Sequence, residues 1–352
     1  MRISFGGGGT DLEAYYAKYG GLVISTAINK YFYAIITMDE SDDLQVISAD
    51  YRSLFRHSPY NDLFWNGDLA LPKAILHHFG IRRGINLFIA SEVPPGTGLG
   101  SSSAAAVTLV HAISTLVEQP MTNQQIAELA SYIEISKMGM PIGKQDQYAA
   151  AFGGLNTITF TSQGVAVEPL KIAPDVRQTL ERRLMLFFTG SSRESTSILK
   201  HQRKSTEDRD GAVLQALHNI KQVAIEVKAC LKCGDLDEFA RLLHYSWQEK
   251  RRLAPGLSTG FIDTCYELAL LHGATAGKIT GAGGGGFLML YCHEHAQQAV
   301  TVALENRGLK RMNYRFDQQG ATVLLNVANF SNLWIEPYAE PQWPEPLLQT
   351  RS

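Results

Sequence analysis

The sequence is poor in cysteine, has no long apolar run and carries almost no net charge. Four cysteines, Cys230, Cys233, Cys265 and Cys292, stand in 352 residues. That is too few and too scattered for a disulfide framework. No secretory h-region or small-residue cleavage site follows Met1, so free thiols in a reducing, cytoplasmic compartment are expected. No stretch of about 18 apolar residues occurs, which excludes a spanning helix. Thirty-two Lys and Arg face 34 Asp and Glu, a net charge of −2. A general nucleic-acid binder would show a basic excess; a local basic pocket stays open. The 13 prolines and 31 glycines are not a low-complexity load, although the glycines are bunched. A hydrophobic fraction of 45% is enough for a sizeable core, and the length suggests about two domains.

The first stretch reads as β-rich. Residues 22–28 and 31–38 are dense in β-branched and aromatic residues, with Asn29-Lys30 as a turn between them. Residues 44–48 and 85–90 are further strands, and 71–79 fits a short helix. An Ala/Val/Leu run over 103–117 is a buried helix, with Pro120 just beyond. Thr122 and Gln125 form a capping box for a second helix with apolar residues Ile126, Leu129, Ala130, Ile133 and Met138. Residues 155–160 and 164–170 look like a hairpin. After about residue 174 come a strand at 184–188, helices near 206–232, 235–252 and 258–272, and an apolar strand at 287–291. Asp235 is the N-cap expected for the second of these helices. A helix near 294–307 and strands near 312–316 and 322–327 follow. The expected class is α+β in two lobes meeting near residues 175–183: residues 1–180, 181–327 and a Pro-rich arm at 328–352.

The strongest chemical signal is Pro94-Pro95-Gly96-Thr97-Gly98-Leu99-Gly100-Ser101-Ser102-Ser103. Alternate glycines let backbone approach a ligand closely. Serines at a helix start, with free N–H groups and the positive dipole end, make a phosphate cradle. Serine hydroxyls also ligate hard cations. No Lys follows the last glycine, so this is not a Walker A loop. A serine-capped turn is the plain alternative, disfavoured by the double proline and the three-Gly, three-Ser order.

A second glycine run, Gly281-Ala282-Gly283-Gly284-Gly285-Gly286, matches G-x-G-x-x-G. An apolar strand follows it where a dinucleotide fingerprint needs a helix, so that reading is rejected. A glycine loop packed beside the phosphate loop is expected instead. Gly6–Gly9 precede Thr10 and Asp11, which could meet sugar hydroxyls. Lys144 and Asp146 lie in the polar segment Gly143–Tyr148, where the plain reading of Asp146 is a helix N-cap. Glu134 alone reads as a solvated helix residue. Cys230-Leu231-Lys232-Cys233 has no second pair to complete a zinc site.

Together and in order, these motifs resemble the GHMP kinases. In that family a PPGxGLGSS loop holds ATP phosphates, and a K-x-T-G-A-G-x-G-G segment packs beside it. Both stand here, at Pro94–Ser102 and Lys278–Gly286. The sugar-kinase motif R-x-x-x-x-G-E-H-T-D is matched by Arg2 and by Gly7-Gly8-Gly9-Thr10-Asp11. The resemblance covers roughly residues 1–327. Within the family the chain most resembles heptose 7-phosphate kinases, through RISFGGGGTDL, GKQDQYAAAFGG and FFTGSSRES. L-fucose kinase domains share a related pattern.

The resemblance implies a lobe like ribosomal protein S5 domain 2, followed by a ferredoxin-like lobe, with the site between them. It implies Asp146 as catalytic base and Arg2 as the residue that orients it. It implies a triphosphate held by Pro95, Gly96, Thr97, Gly98, Leu99, Gly100 and Ser101 to Ser103. Mg²⁺ would sit on Ser102 and Glu134, although three adjacent serines leave the hydroxyl open. Gly9, Thr10, Asp11, Lys144 and Arg193 would bind the sugar, with Lys144 and Arg193 as candidates for its phosphate. Gly281, Gly283, Gly284 and Gly285 form the structural glycine loop. The implied reaction is ATP-dependent phosphorylation of an anomeric hydroxyl, heptose 7-phosphate to the 1,7-bisphosphate. An L-fucose kinase is the alternative, and a catalytically silent sugar sensor on the same fold is more remote. The expected partners are ATP and a small sugar phosphate, with no nucleic acid or membrane. Two departures stand out. Arg2 directly follows Met1 where relatives have more residues, so either the first strand is short or the chain is truncated, and Arg2 is expected to be weakly anchored. The Pro-rich arm matches nothing in the family.

Overall fold

A computed structural model describes residues 1–38, 43–50, 52–57, 67, 69–81, 84–190, 196–208 and 210–326. In chain order the first half runs β1 (Arg2–Gly6), α1 (Glu13–Tyr19), β2 (Gly21–Ile28), β3 (Phe32–Met38), β4 (Leu44–Ser48) and β5 (Ser53–His57). Then come α2 (Ala70–His78), β6 (Ile85–Ser91), α3 (Ser101–Leu116), α4 (Asn123–Ser131), a π-helical turn (Tyr132–Lys137), α5 (Gln145–Phe152), β7 (Leu155–Thr161) and β8 (Gly164–Pro169). The rest is α6 (Pro174–Arg183), β9 (Leu184–Phe188), α7 (Thr196–Glu207), α8 (Gly211–Cys233), α9 (Leu236–Arg251), α10 (Gly260–Leu271), β10 (Ala274–Ile279) and β11 (Phe287–Cys292). A 3₁₀ turn (Glu294–Ala296), α11 (Gln297–Glu305), β12 (Lys310–Met312) and β13 (Phe316–Asp317) complete it.

These strands form three sheets, ordered β1-β2-β7-β8, β3-β6-β4-β5 and β10-β11-β9-β12, with β13 pairing the end of β2. All pairings are antiparallel except β4 with β6. One apolar cluster fills the space between the second sheet and the helices α2 to α5. Another joins β1 and β2 to α8 and α9. Helix α8 shows why it packs there. Val213, Leu217, Ile220, Val223, Ala224, Val227 and Leu231 are buried at three- and four-residue spacings. Burying each large aliphatic side chain is worth about 1.5–3 kcal/mol. Its N-cap Asp210 accepts from Ala212 N–H at 2.9 Å, and Gly234 closes it in the left-handed region. Helix and strand meet closely at Gly6, where a Cβ would stand 3.1 Å from Ala224 Cα.

Most expected elements are present, including the capping box of Thr122 and Gln125 and the Asp235 cap. Four expectations need correction. Asn29-Lys30 does not make a hairpin, because β2 and β3 belong to different sheets. The strand expected near 312–316 divides: Met312 pairs with Leu186 and Phe316 with Ile28, so the chain crosses between sheets there. No strand forms at 322–326, where Leu324 and Leu325 are 87% and 77% exposed and find no partner strand. The helix expected from 206 is two, α7 and α8, separated by the Asp210 cap. Helices α1 and α6, most of α7 before residue 206, and strands β5 and β10 are additional to the sequence-based reading. Among the described residues no helix is long and apolar enough to cross a membrane. All four cysteines are free. Among the described residues no group of three His, Cys, Asp or Glu is placed to hold a metal ion.

Candidate active site

Strand β1 puts Arg2 at the centre. Its backbone is fixed by pairing with Ala27 of β2 and by donation from its N–H to Leu99 O at 3.1 Å. The expectation of weak anchoring is therefore overturned. The guanidinium is 3% exposed and bidentate on one oxygen, with Nε and Nη2 at 2.7 and 2.6 Å from Asp146 Oδ1. Its remaining arm donates to Gly98 O at 2.6 Å. Arg2 thus couples the carboxylate to the glycine-rich loop. Asp146 is in the first turn of α5 but caps nothing; the N-cap is Lys144, and no side chain caps that end. The N-cap reading of Asp146 is corrected accordingly.

The loop itself, residues 94–100, leads into α3 with Gly96, Gly98 and Gly100 all at positive φ. Thr97 Oγ1 donates to Pro94 O at 2.8 Å and fastens the turn. Leu99 is fully buried, whereas Pro95 and Gly96 are exposed. The hairpin β10–β11 presses on this loop. A Cβ at Gly281 would lie 2.4 Å from Gly98 Cα, and one at Gly98 would lie 2.4 Å from Thr280 O. Phe287 N–H donates to Thr97 O at 3.2 Å. Gly283 and Gly284 meet Leu257, the latter by donation from its N–H to Leu257 O at 2.8 Å. Gly285 stands in the same turn at φ 158°. A strand on each side of the glycine run agrees with its rejection as a dinucleotide fingerprint.

Glu134 is fully buried, not solvated. It sits in the π-helical turn, a local widening that recurs at functional sites. Ser102 Oγ donates to its Oε1 at 2.8 Å and Gln147 Nε2 to its Oε2 at 2.6 Å. Burial pushes the Glu134 carboxyl up to about 7, against the opposing pull of the Ser102, Ser103 and Gln147 hydrogen bonds. Of the three serines, Ser102 is exposed, while Ser101 and Ser103 are buried. A hydroxyl and a carboxylate side by side are hard oxygen donors of the kind Mg²⁺ takes. A cation there would also relieve the cost of ionising a buried Glu134, so the donor set fits.

Asp11 is 2% exposed and holds the segment that leads into Asp146 in place. Its Oδ1 accepts from Gly9 N–H at 2.9 Å and Gln145 Nε2 at 3.0 Å, and its Oδ2 from Gln145 N–H at 3.2 Å. A Cβ at Gly143 would lie 1.9 Å from Asp11 Oδ2, so only glycine fits there. Burial raises the Asp11 pKa, opposed by the Gly9 hydrogen bond. Thr10 differs from expectation. It is fully buried, and its hydroxyl donates toward Gly7 O and Leu22 O and accepts from Leu22 N–H at 3.1 Å. It braces the turn and has nothing left for a sugar. Lys144 departs too: its Nζ lies over the Tyr16 ring, 5.4 Å from the centroid. Arg193 lies outside the described residues.

The sequence reading gives Lys250 no role, and Lys278 none beyond its place at the start of the glycine motif. A small cleft lies near the Arg2–Asp146 pair, lined by Ser4, Gln145, Ser246, Lys250, Lys278 and Gly281 among others. Lys250 Nζ donates to Gly281 O. Its pKa is pushed down to about 8 by burial and by Arg2, with Asp11 and Asp146 pulling the other way. Lys278, in β10, is 4% exposed, and burial together with Lys250 and Arg2 holds its amine well below the usual range. A signal for Lys250 exists. It continues the buried stripe Phe239, Leu243, Ser246 and Trp247 of α9, where a lysine is out of place.

Comparison with known proteins bears on the family and the fold. Family models for the GHMP kinases N terminal domain and the GHMP kinases C terminal match residues 69–154 and 224–310. The D-glycero-alpha-D-manno-heptose 7-phosphate kinase of Campylobacter jejuni is 32% identical over 91% of this chain and 96% of its own. The bifunctional fucokinase/GDP-fucose pyrophosphorylase of Arabidopsis thaliana is 26% identical over 82% of this chain and 29% of its own. A crystal structure of a D-glycero-D-manno-heptose 1-phosphate kinase from Bacteroides thetaiotaomicron has a TM-score of 0.74 at 28% identity, over 91% of this chain and 95% of that one. Fold and relatives define an ATP-dependent phosphotransferase with an alcohol acceptor. The chain belongs to the GHMP kinases and has their two-lobed α+β fold.

Proposed function

We propose that this kinase phosphorylates the anomeric hydroxyl of a sugar, most specifically D-glycero-D-manno-heptose 7-phosphate to the 1,7-bisphosphate. The observation that carries the reading is the Arg2–Asp146 pair, tied to Gly98 of the glycine-rich loop and standing near a small cleft. In this reading the cleft takes the acceptor, and Asp146 removes the proton from its hydroxyl. The hydroxyl oxygen then bonds to the γ-phosphorus of ATP as the bond to ADP breaks. Arg2 keeps the Asp146 oxygen aimed and adds positive charge beside the transferring group. Residues 95–103 cradle the triphosphate with backbone N–H groups, since phosphoryl transfer asks mainly for positioning and charge stabilisation. Ser102 and Glu134 would hold Mg²⁺, which when bound neutralises phosphate charge. Asp11 and Gly9 form the acceptor side of the turn and fix the base segment.

The heptose reading is supported by the Campylobacter relative, whose name specifies a heptose 7-phosphate. The Bacteroides structure's name places the phosphate at carbon 1 instead, so the two share a phosphorylated heptose and differ in its carbon. The plant fucokinase relative keeps an L-fucose acceptor as the second reading. We also propose a division into 1–180, 181–327 and an arm at 328–352; β9 to β12 all fall inside the second span. The test is a panel of phosphorylated and free sugars with Mg-ATP, scored by ADP release and by NMR of the product. A substrate other than a sugar would overturn the proposal.

A further inference from the structure

We propose that Gln147 is the positioning residue for the Glu134 carboxylate, holding it ready for the cation and fixing it relative to Asp146. This rests on the reading above in which Ser102 and Glu134 hold Mg²⁺. It adds a residue that acts through Glu134 without touching metal or substrate.

Gln147 is fully buried and sits one residue after Asp146 in α5. Its Nε2 donates to Glu134 Oε2 at 2.6 Å, while Ser102 Oγ of α3 donates to Glu134 Oε1 at 2.8 Å. Each carboxylate oxygen is therefore held from a different helix. The contact also settles which way the amide points, because an ionised Glu134 offers only acceptors and needs the NH₂ end turned toward it. With the amide so placed, Gln147 Oε1 is buried and has no hydrogen-bond partner among the described residues. A buried acceptor left unpaired costs stability. The side chain is thus a poor choice for the fold and a good one for Glu134.

An amide suits the task. It orients a carboxylate oxygen without neutralising it, whereas a lysine or arginine at 147 would form an ion pair and compete with the cation. Mg²⁺ demands near-octahedral geometry, so donors fixed in advance matter for it. Glu134 needs such support, since its backbone lies in the π-helical turn Tyr132–Lys137 and not in a regular α-helix. The place of Gln147 in α5 supplies the link to Asp146. Gln145 and Gln147 flank the base, and residues two apart on a helix point about 200° from one another. Gln145 turns to Asp11 on the acceptor side, and Gln147 turns to Glu134 on the metal side. One helical turn therefore ties the acceptor turn, the base and the metal carboxylate into a single frame.

The experiment compares wild type, Gln147→Met, Gln147→Leu and Glu134→Gln. Calorimetry measures binding of the non-hydrolysable ATP analogue AMPPNP with excess Mg²⁺ and in EDTA, with no sugar present. In wild type Mg²⁺ should strengthen binding. In the Gln147 variants that gain should shrink about 10- to 100-fold, the usual effect of removing the hydrogen-bond partner of a metal ligand, with affinity in EDTA unchanged. The Mg²⁺ needed for half-maximal turnover should rise by a similar factor, while the KM for the sugar holds. Thermal unfolding in EDTA should stay close to wild type, because the unpaired oxygen leaves with the amide. A Mg²⁺ gain equal to that of wild type overturns the proposal. So does a melting temperature more than about 10 °C below wild type in both variants, which would make Gln147 a structural brace. A wild type without a Mg²⁺ gain, or Glu134→Gln with the full gain, removes the metal site and this inference with it. If wild type phosphorylates no sugar, the sugar reading fails by itself, and AMPPNP binding still decides the role of Gln147.

Discussion

Gly100 lies directly against Asp146. A Cβ built on Gly100 would stand 3.2 Å from Asp146 Cγ and 3.3 Å from Oδ2, and Gly100 has φ 74°. The last glycine of the loop and the Asp146 carboxylate are therefore neighbours, as the proposed transfer from a loop-bound ATP to a hydroxyl at Asp146 requires. Gly100→Ala would introduce strain and push the carboxylate away. It should lower kcat by about 10-fold or more while costing about 1 kcal/mol of stability. Kinetics and thermal unfolding of the variant check this, and unchanged kcat would detach the loop from the base.

Asp146→Asn keeps the shape and removes the proton acceptor. Turnover should fall about 10²–10⁴-fold, with ATP affinity measured by calorimetry nearly unchanged. Turnover within about threefold of wild type would reject Asp146 as the base.

Arg2→Lys should be costly although charge is kept. One ammonium cannot reproduce two contacts to Asp146 Oδ1 and a third to Gly98 O. The expected result is a fall in kcat of about 10- to 100-fold with little change in the KM for ATP. A variant with wild-type kcat would make the pair structural.

Glu134→Gln should raise the Mg²⁺ needed for half-maximal rate, because a neutral amide is a poorer ligand for a hard cation. A pH signature accompanies it. Without metal, the Glu134 carboxyl titrates near 7 instead of 4.5. The folded state then binds more protons than the unfolded state between those values, so stability falls as pH rises through that window. Relative to Glu134→Gln, metal-free wild type should lose on the order of 3 kcal/mol from pH 4.5 to above 7. Denaturant unfolding in EDTA measures it; parallel pH profiles would show that Glu134 is not the titrating group.

The glycine loops are legible in the sequence because their function is backbone geometry, and glycine spacing records it. The same holds for Arg2 and Asp146, whose motifs stand in order and meet through β1 and α5. Glu134 shows the limit. Its burial depends on the π-helical turn Tyr132–Lys137, and α-helical periodicity gives no sign of a turn with a different period. Thr10 shows another limit, since a hydroxyl beside an acidic residue reads as ligand-facing until Leu22 and Gly7 are seen to saturate it. Lys278 stood at the edge of a recognised motif, and Lys250 sat on an apolar stripe. Their meeting at one cleft depends on α9 packing against β10, which is tertiary information.

The most direct measurement is phosphorus and proton NMR of the product formed from heptose 7-phosphate and Mg-ATP. The account predicts consumption of one ATP per sugar and a new phosphorus resonance coupled to the anomeric proton, with both lost in Asp146→Asn. A phosphate on any other carbon, or turnover that survives Asp146→Asn, would contradict it.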